Sequence, residues 1–188
     1  MKTEFECRFT DIDLDETRQK LSAAGFVCIE SEHMMRRKIF DVPNLSGVRR
    51  WLRLRDEGDK VTLTLKLKGD LSDISSMREV EVEVGNFDDM AQLLVNSDLE
   101  MKAYEENKRE KWARGNDEAC LDTWPGLDTF LEIESDSEDK VKNIVAELGL
   151  NYANAMFGNV IEVYEKKLGL DLADVQASCT FENPPCKK

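Results

Sequence analysis

Two pairs of carboxylates stand at alternate positions, Glu4 with Glu6 near one end of the chain and Glu132 with Glu134 in its second half. Alternate residues of a strand share a face, so each pair presents two acids to one side. Between them lie cations at the same spacing, Arg53 with Arg55 and Lys66 with Lys68. Carboxylate oxygens suit hard divalent cations, and guanidinium and ammonium groups suit phosphate oxygens. Strand faces of this kind turned toward one lumen would hold a metal and a polyphosphate together. An ordinary half-exposed sheet with its charged faces in water would show the same alternation.

The elements that must carry these residues follow from periodicity. Thr3 to Phe9 alternates Glu4, Glu6 and Arg8 against Phe5, Cys7 and Phe9, a period of two that predicts a strand. Asp11 to Gly25 predicts a helix with an aspartate cap and a terminal glycine. Phe26 to Phe40 reads as extended, with a break at Pro43 to Gly47. Val48 to Arg55 and Val61 to Lys68 alternate again around a hairpin turn at Gly58-Asp59. After a polar loop over Gly69 to Ser76, Met77 to Val84 sets Glu79, Glu81 and Glu83 against three valines. A short helix is predicted over Asp88 to Val95. Strands are predicted over Lys102 to Trp112, Glu118 to Thr123 and Leu127 to Glu134, followed by helices over Ser137 to Leu148 and Asn159 to Leu168. The stretch 171–188, with Pro184-Pro185 and Lys187-Lys188, reads as a mobile tail behind a single domain over 1–170.

Charge narrows the partners. The 188 residues hold 26 Lys and Arg against 39 Asp and Glu, a net charge of -13. That balance argues against a long nucleic acid, whose phosphates call for excess positive charge. Met34 to Arg78 reverses it, with eleven basic residues against six acids, so a small anion can still be attracted locally. No apolar run approaches the roughly 20 residues of a membrane-spanning helix. The N-terminus reads as the start of a strand and has no apolar core of a signal peptide. The 5 cysteines are scattered without a CxxC pair, which fits free thiols in a reducing cytoplasm.

The order of short motifs is more specific. Glu4-Phe5-Glu6-Cys7-Arg8 resembles the ExExK signature of the CYTH family, also called triphosphate tunnel metalloenzymes. Leu52-Arg53-Leu54-Arg55 resembles its LRLR strand, Leu63-Thr64-Leu65-Lys66 its LTxK strand, and Arg78-Glu79-Val80-Glu81 its R-E-x-E region. Lys108-Arg109-Glu110-Lys111-Trp112 resembles the K-R-x-x-aromatic strand. Cys120-Leu121-Asp122 through Phe130-Leu131-Glu132-Ile133-Glu134 resembles the family's LDxxxGLGxFxEIE block.

The resemblance implies an α+β fold, an eight-stranded antiparallel β-barrel forming a tunnel with helices packed outside. It implies that Glu4, Glu6, Glu132 and Glu134, with Asp122, hold Mg²⁺ or Mn²⁺. Arg53, Arg55, Lys66, Lys68, Lys108 and Arg109 would grip the phosphates of a small-molecule triphosphate, and Glu79 and Glu81 would join an acidic wall. Glu4, Glu6 and Arg8 would form the catalytic group. The activity implied is metal-dependent hydrolysis of inorganic triphosphate, a nucleoside triphosphate or thiamine triphosphate, by a cytoplasmic monomer or homodimer. The alternatives are a class IV adenylyl cyclase making cyclic AMP from ATP, and a non-catalytic polyphosphate- or nucleotide-binding module. Three departures stand out: Arg8 replaces the signature lysine, Gly126-Leu127-Asp128 replaces Gly-Leu-Gly, and a C-terminal Ser-Tyr pair is missing around Gly158 to Tyr164. An arginine does not readily give up its proton, which leaves Arg8 an electrostatic or hydrogen-bonding role.

Overall fold

The structure, a computed structural model, describes residues 2–3, 5–43, 49–68, 77–177 and 179–187. Glu4 lies outside the described residues, and so does the side chain of Lys68. The loop expected over Gly69 to Ser76 and most of the break expected at Pro43 to Gly47 also fall outside them.

One antiparallel sheet dominates the molecule. Its strands are β1 (Lys2–Thr3), β2 (Phe5–Phe9), β3 (Val27–Asp41), β4 (Arg49–Asp56), β5 (Val61–Lys68), β6 (Met77–Val84), β7 (Met101–Arg114), β8 (Asp117–Thr123) and β9 (Phe130–Ser135). The spatial order is β1-β6-β5-β4-β3-β7-β8-β9-β2. The two outermost strands are thus neighbours in sequence. β1 pairs with β6 through Lys2 and Thr3, and β2 pairs with β9 from Phe5 to Phe9. Both edges therefore meet the first nine residues, and the sheet wraps around a lumen. Counted as one N-terminal strand, β1 and β2 give the expected eight. The barrel is loose at one seam, where the two residue pairs between β1 and β6 are the whole contact among the described residues.

Helices cover much of the apolar outer face, while Val80 and Val82 of β6 stay exposed. α1 (Leu14–Ala23) starts at Asp13, whose carboxylate accepts from the Glu16 amide at 2.8 Å. Its Leu21 packs with Cys7, Phe9, Leu131 and Ile133. α3 (Glu138–Glu147), capped by Ser137, adds Val141, Ile144 and Val145 to the same cluster. Full burial of a side chain such as Ile133 is worth about 1.5–3 kcal/mol, so this layer fixes which face of β2, β8 and β9 turns inward. α2 (Phe87–Asn96) covers β3 and β4 through Phe87, Ala91 and Leu94 against Phe40 and Leu54.

The C-terminal part closes a third cluster. α4 (Val160–Leu168) is capped by Asn159 and ends at Gly169, whose φ of 65° is left-handed. With the short α5 (Leu172–Ala177) it packs Val163, Tyr164, Leu170 and Val175 against Trp124 and Phe130. The Tyr164 hydroxyl donates to the Pro125 carbonyl at 2.7 Å. Beyond α5, Cys179 is fully buried and its carbonyl accepts from the Glu106 amide at 2.8 Å. The stretch read from sequence as a tail thus contributes a helix and the buried residues Val175, Cys179 and Pro185 to the domain. The last sheet strand also begins later than periodicity suggests, at Phe130 and not Leu127. A turn over Pro125-Gly126, closed by the Leu127 amide on the Trp124 carbonyl at 2.9 Å, delays it.

Candidate functional site

Strand alternation places charged side chains around one cavity of about 600 Å³, within the roughly 300–1,000 Å³ typical of small-molecule sites. β2 supplies Glu6 and Arg8, and β9 supplies Phe130, Glu132 and Glu134. β8 supplies Glu118 and Asp122, and β7 supplies Glu105, Arg109 and Lys111. β4 supplies Trp51, Arg53 and Arg55, while Leu54 of the same strand packs outward under α2. Lys66 on β5 and Glu79 and Glu81 on β6 complete the cationic and acidic walls.

The charges are sorted into pairs. Arg8 Nη2 reaches Glu132 at 2.6 Å and Glu6 at 3.0 Å, and Arg8 also donates to the Gly158 carbonyl. Arg109 forks onto Asp122 at 2.7 and 2.5 Å and reaches Glu132 at 3.1 Å. Burial would raise the Glu132 carboxyl, but Arg8 and then Arg109 outweigh it and hold the group down at about 2. Burial opposes the charge of Arg8 and Arg109 too, and their carboxylate partners outweigh that effect, so both guanidinium pKa values lie above the ordinary one. On the other wall Lys66 lies 3.0 Å from Glu79, and Arg55 lies 2.7 Å from Glu57. Arg53 approaches Glu81 at 3.5 Å, and Glu81 accepts from the Thr64 hydroxyl at 2.6 Å.

Three carboxylates form a cross-strand row. Glu6 is directly opposite Glu134, and Glu134 is directly opposite Glu118 on its other side. Opposed residues have Cβ atoms about 4.5–5.5 Å apart, and like charges there repel. Lys111 offsets one of them, at 2.9 Å from Glu118. An all-oxygen row of this kind matches the donor preference of Mg²⁺ or Mn²⁺. Among the described residues no three such groups converge on one point, and Glu4, the remaining acid of the first pair, lies outside them.

Most of the expected site residues share the cavity: Glu6, Arg8, Arg53, Arg55, Lys66, Glu79, Glu81, Arg109, Asp122, Glu132 and Glu134 all line it. Lys108 does not come to it. It lies on the outer face of β7, 3.9 Å from Glu32 and with its ammonium 5.5 Å from the centre of the Phe181 ring. The strand period sets this, because Arg109 points inward and its neighbour must point out. The inner-facing residue beside it is Asn107, fully buried.

Among the residues that the fold brings in and to which sequence reasoning assigned no role are Arg37, Glu57, Glu105 and Asn107. Arg37 on β3 is 7% exposed, directly opposite Arg55 on one side and Glu105 on the other. Its guanidinium lies 4.6 Å from the Trp124 ring centre and donates to Asn107. Burial pushes its pKa down, Arg55 next; Glu105 opposes them, Arg53 and Arg109 add to them, and the group stands at about 9. Burial raises the Glu105 carboxyl, offset in part by Arg37 and Arg53. Glu57 is buried beside Arg55 and Lys60, which outweigh the effect of burial and lower its carboxyl.

One part of the cavity is apolar. Trp124 and Phe130 pack with Val160 and Ile161 of α4. Ile39, Trp51 and Leu172 line the same cavity, and Trp51 stands diagonal to Ile39 across the β3–β4 pair. A ring could lie there while a phosphate chain lay among the cations.

Comparison with known proteins places this architecture. Residues 2–156 match the CYTH domain. No curated protein matches the chain. Among solved structures, a conserved hypothetical protein from Pyrococcus furiosus is 22% identical, with a TM-score of 0.67 over 82% of this chain and 95% of its own. A Vibrio parahaemolyticus protein provisionally named an adenylate cyclase is 16% identical, with a TM-score of 0.69 over 87% of this chain and 98% of its own. A Hippeastrum protein, also provisionally named an adenylyl cyclase and described as having a dominant triphosphatase activity, is 16% identical, with a TM-score of 0.56 over 90% of this chain and 96% of its own. Among the described residues no helix is long and apolar enough to cross a membrane.

Proposed function

The chain belongs to the CYTH domain family, and on that premise we propose that it hydrolyses a triphosphate in a reaction that depends on Mg²⁺ or Mn²⁺. The observation that carries the reading is the pairing of Arg53, Arg55, Lys66 and Arg109 with carboxylates across one cavity. A triphosphate brings several negative charges and takes over these cations from their present partners. Arginine forks fit phosphate oxygens bidentately, and Lys66 acts as a point charge.

Glu4, Glu6, Glu132 and Glu134, with Asp122, are the residues that would hold the metal. When bound, such an ion polarises a phosphoryl oxygen and lowers the pKa of a water. The chain's own groups do the positioning, which together with charge neutralisation is most of phosphoryl-transfer catalysis. Arg8 stays charged between Glu6 and Glu132, so it orients those carboxylates and does not serve as a base. Until a phosphate takes it over, Arg109 holds Asp122 and Glu132 on the opposite side.

The apolar end of the cavity favours a second reading, an organic triphosphate and with it a class IV adenylyl cyclase. There the ribose 3′-hydroxyl attacks the α-phosphate, cyclic AMP forms and pyrophosphate leaves. Product analysis separates the two. ATP incubated with the protein and Mn²⁺ or Mg²⁺ should give phosphate and ADP if hydrolysis is the activity, and cyclic AMP with pyrophosphate if cyclisation is. Tripolyphosphate and thiamine triphosphate belong in the same panel. No product from any of the three would remove both readings.

A further inference from the structure

We infer that Arg37 is a phosphate-binding residue of the tunnel, an inference that rests on the triphosphate reading above. The other inward-facing arginines have a carboxylate within 4 Å: Arg8 has Glu132, Arg53 has Glu81, Arg55 has Glu57 and Arg109 has Asp122. Arg37 differs. Its Cα partner on one side is Arg55, and the charges that act on it include Arg53 and Arg109 as well. Glu105, its partner on the other side, has no side-chain hydrogen bond among the described residues and acts on Arg37 only through space.

A buried guanidinium facing like charges is costly unless an anion joins it. Arg37 is also short of one partner, since its Nε is buried without a hydrogen bond among the described residues. The rest of the side chain is fixed, by the Trp124 ring beneath the guanidinium and by Asn107 accepting from one terminal nitrogen. What remains is a preorganised donor edge standing among three other arginines. A phosphate oxygen meets both needs, as an anion for the charge and an acceptor for the unbonded Nε–H. The position also explains how the tunnel does without Lys108. β7 brings the neutral Asn107 to the inner face, and the cation at that place comes from β3, hydrogen-bonded to that same Asn107.

The experiment is calorimetric titration of the full chain with tripolyphosphate in the presence of EDTA, comparing wild type with Arg37→Gln and Arg37→Lys. The Gln variant should bind at least tenfold more weakly and the Lys variant should recover part of the loss. A purely structural role would lower the melting temperature of the Gln variant and leave its affinity at the wild-type value. Wild-type affinity in the Gln variant overturns the inference and leaves the triphosphate reading standing. Absence of tripolyphosphate binding by the wild-type protein, in EDTA and with Mg²⁺ alike, overturns both; where binding needs Mg²⁺, the same three proteins are compared with it. Should the Gln variant fail to fold, the wild-type protein decides: the Arg37 Nε–H NMR signal, identified by its loss in Arg37→Lys, should shift on adding tripolyphosphate. An unmoved signal overturns the inference.

Discussion

Arg8 and Glu132 sit directly opposite each other on β2 and β9, with Arg8 Nη2 2.6 Å from Glu132 Oε2. Glu6 shares the same guanidinium, so one buried cation holds one acid from each of the carboxylate pairs first visible in the sequence. The contact joins β2 to β9, the last strand in chain order.

Replacing Arg8 should therefore unfold more than it inactivates. Arg8→Met takes the shared cation from Glu6 and Glu132 and leaves Glu132 with Arg109 alone, at 3.1 Å. Breaking a buried pair in this way costs about 3–5 kcal/mol. Urea unfolding should show a loss of that size, with a smaller loss in Arg8→Lys, which keeps the charge but not the fork. A midpoint for Arg8→Met equal to that of wild type would sink this reading of the contact.

The same pair sets a pH dependence. The Glu132 carboxyl stands at about 2 in the folded protein against an ordinary 4.5. A folded value below the unfolded one contributes stability above the unfolded pKa and loses it as pH falls through the folded one. At pH 7 wild type should exceed Glu132→Gln in stability, and the gap should shrink as pH falls from about 5 to about 2. Melting curves of both proteins across that range test it. A gap that stays constant would mean that Glu132 is not held ionised by its arginines.

Arg53 is the cleanest test of the phosphate grip. Its ion pair with Glu81 is loose, at 3.5 Å, and Glu81 keeps the Thr64 hydroxyl when Arg53 is removed. A hydrogen bond to a charged group is worth about 1.5–3 kcal/mol, which predicts a fall of roughly 10- to 100-fold in kcat/KM for Arg53→Ala. Steady-state kinetics on the best triphosphate of the panel would show it. A change below twofold would move the phosphates elsewhere in the cavity.

Tyr164 reports on the C-terminal cluster. Tyr164→Phe removes the hydroxyl that donates to Pro125 at 2.7 Å and leaves that carbonyl buried, at a cost of about 1–3 kcal/mol. The thermal midpoint should drop by several degrees with the ligand-free cavity otherwise unchanged. An unchanged midpoint would mean that this end of the tunnel does not depend on the cluster.

What the sequence shows of this site depends on how cleanly each strand alternates. In β4 and β5 apolar residues separate the polar ones, so periodicity alone assigns Arg53, Arg55 and Lys66 to one face. β7 carries charges on both faces, since Glu106, Lys108 and Glu110 point out while Glu105, Arg109 and Lys111 point in. A motif containing Lys108-Arg109 therefore does not say which of the two reaches the lumen. β3 hides Arg37 for a similar reason. Arg36, Arg37 and Lys38 are consecutive, and bulges between Cys28 and Glu30 and between Glu30 and His33 break the count from the strand's start. The signal that could have found Arg37 is its distance from Phe40, an outward residue buried under α2 three positions on. The last helix, α5, is too short for its periodicity to stand out, and what orders it is packing against Trp124 and Phe130, which are distant in sequence.

Metal-dependent hydrolysis inside the tunnel can be tested in a single assay. Phosphate release from tripolyphosphate, ATP and thiamine triphosphate is followed with Mg²⁺, with Mn²⁺ and with EDTA, for wild type and Glu6→Ala. Wild type should release phosphate from at least one of them with a metal and none in EDTA, and Glu6→Ala should lose at least about 100-fold, as expected when a group acting on transition-state charge is removed. Release that persists in EDTA or in Glu6→Ala, or no release from any of the three substrates, would contradict it.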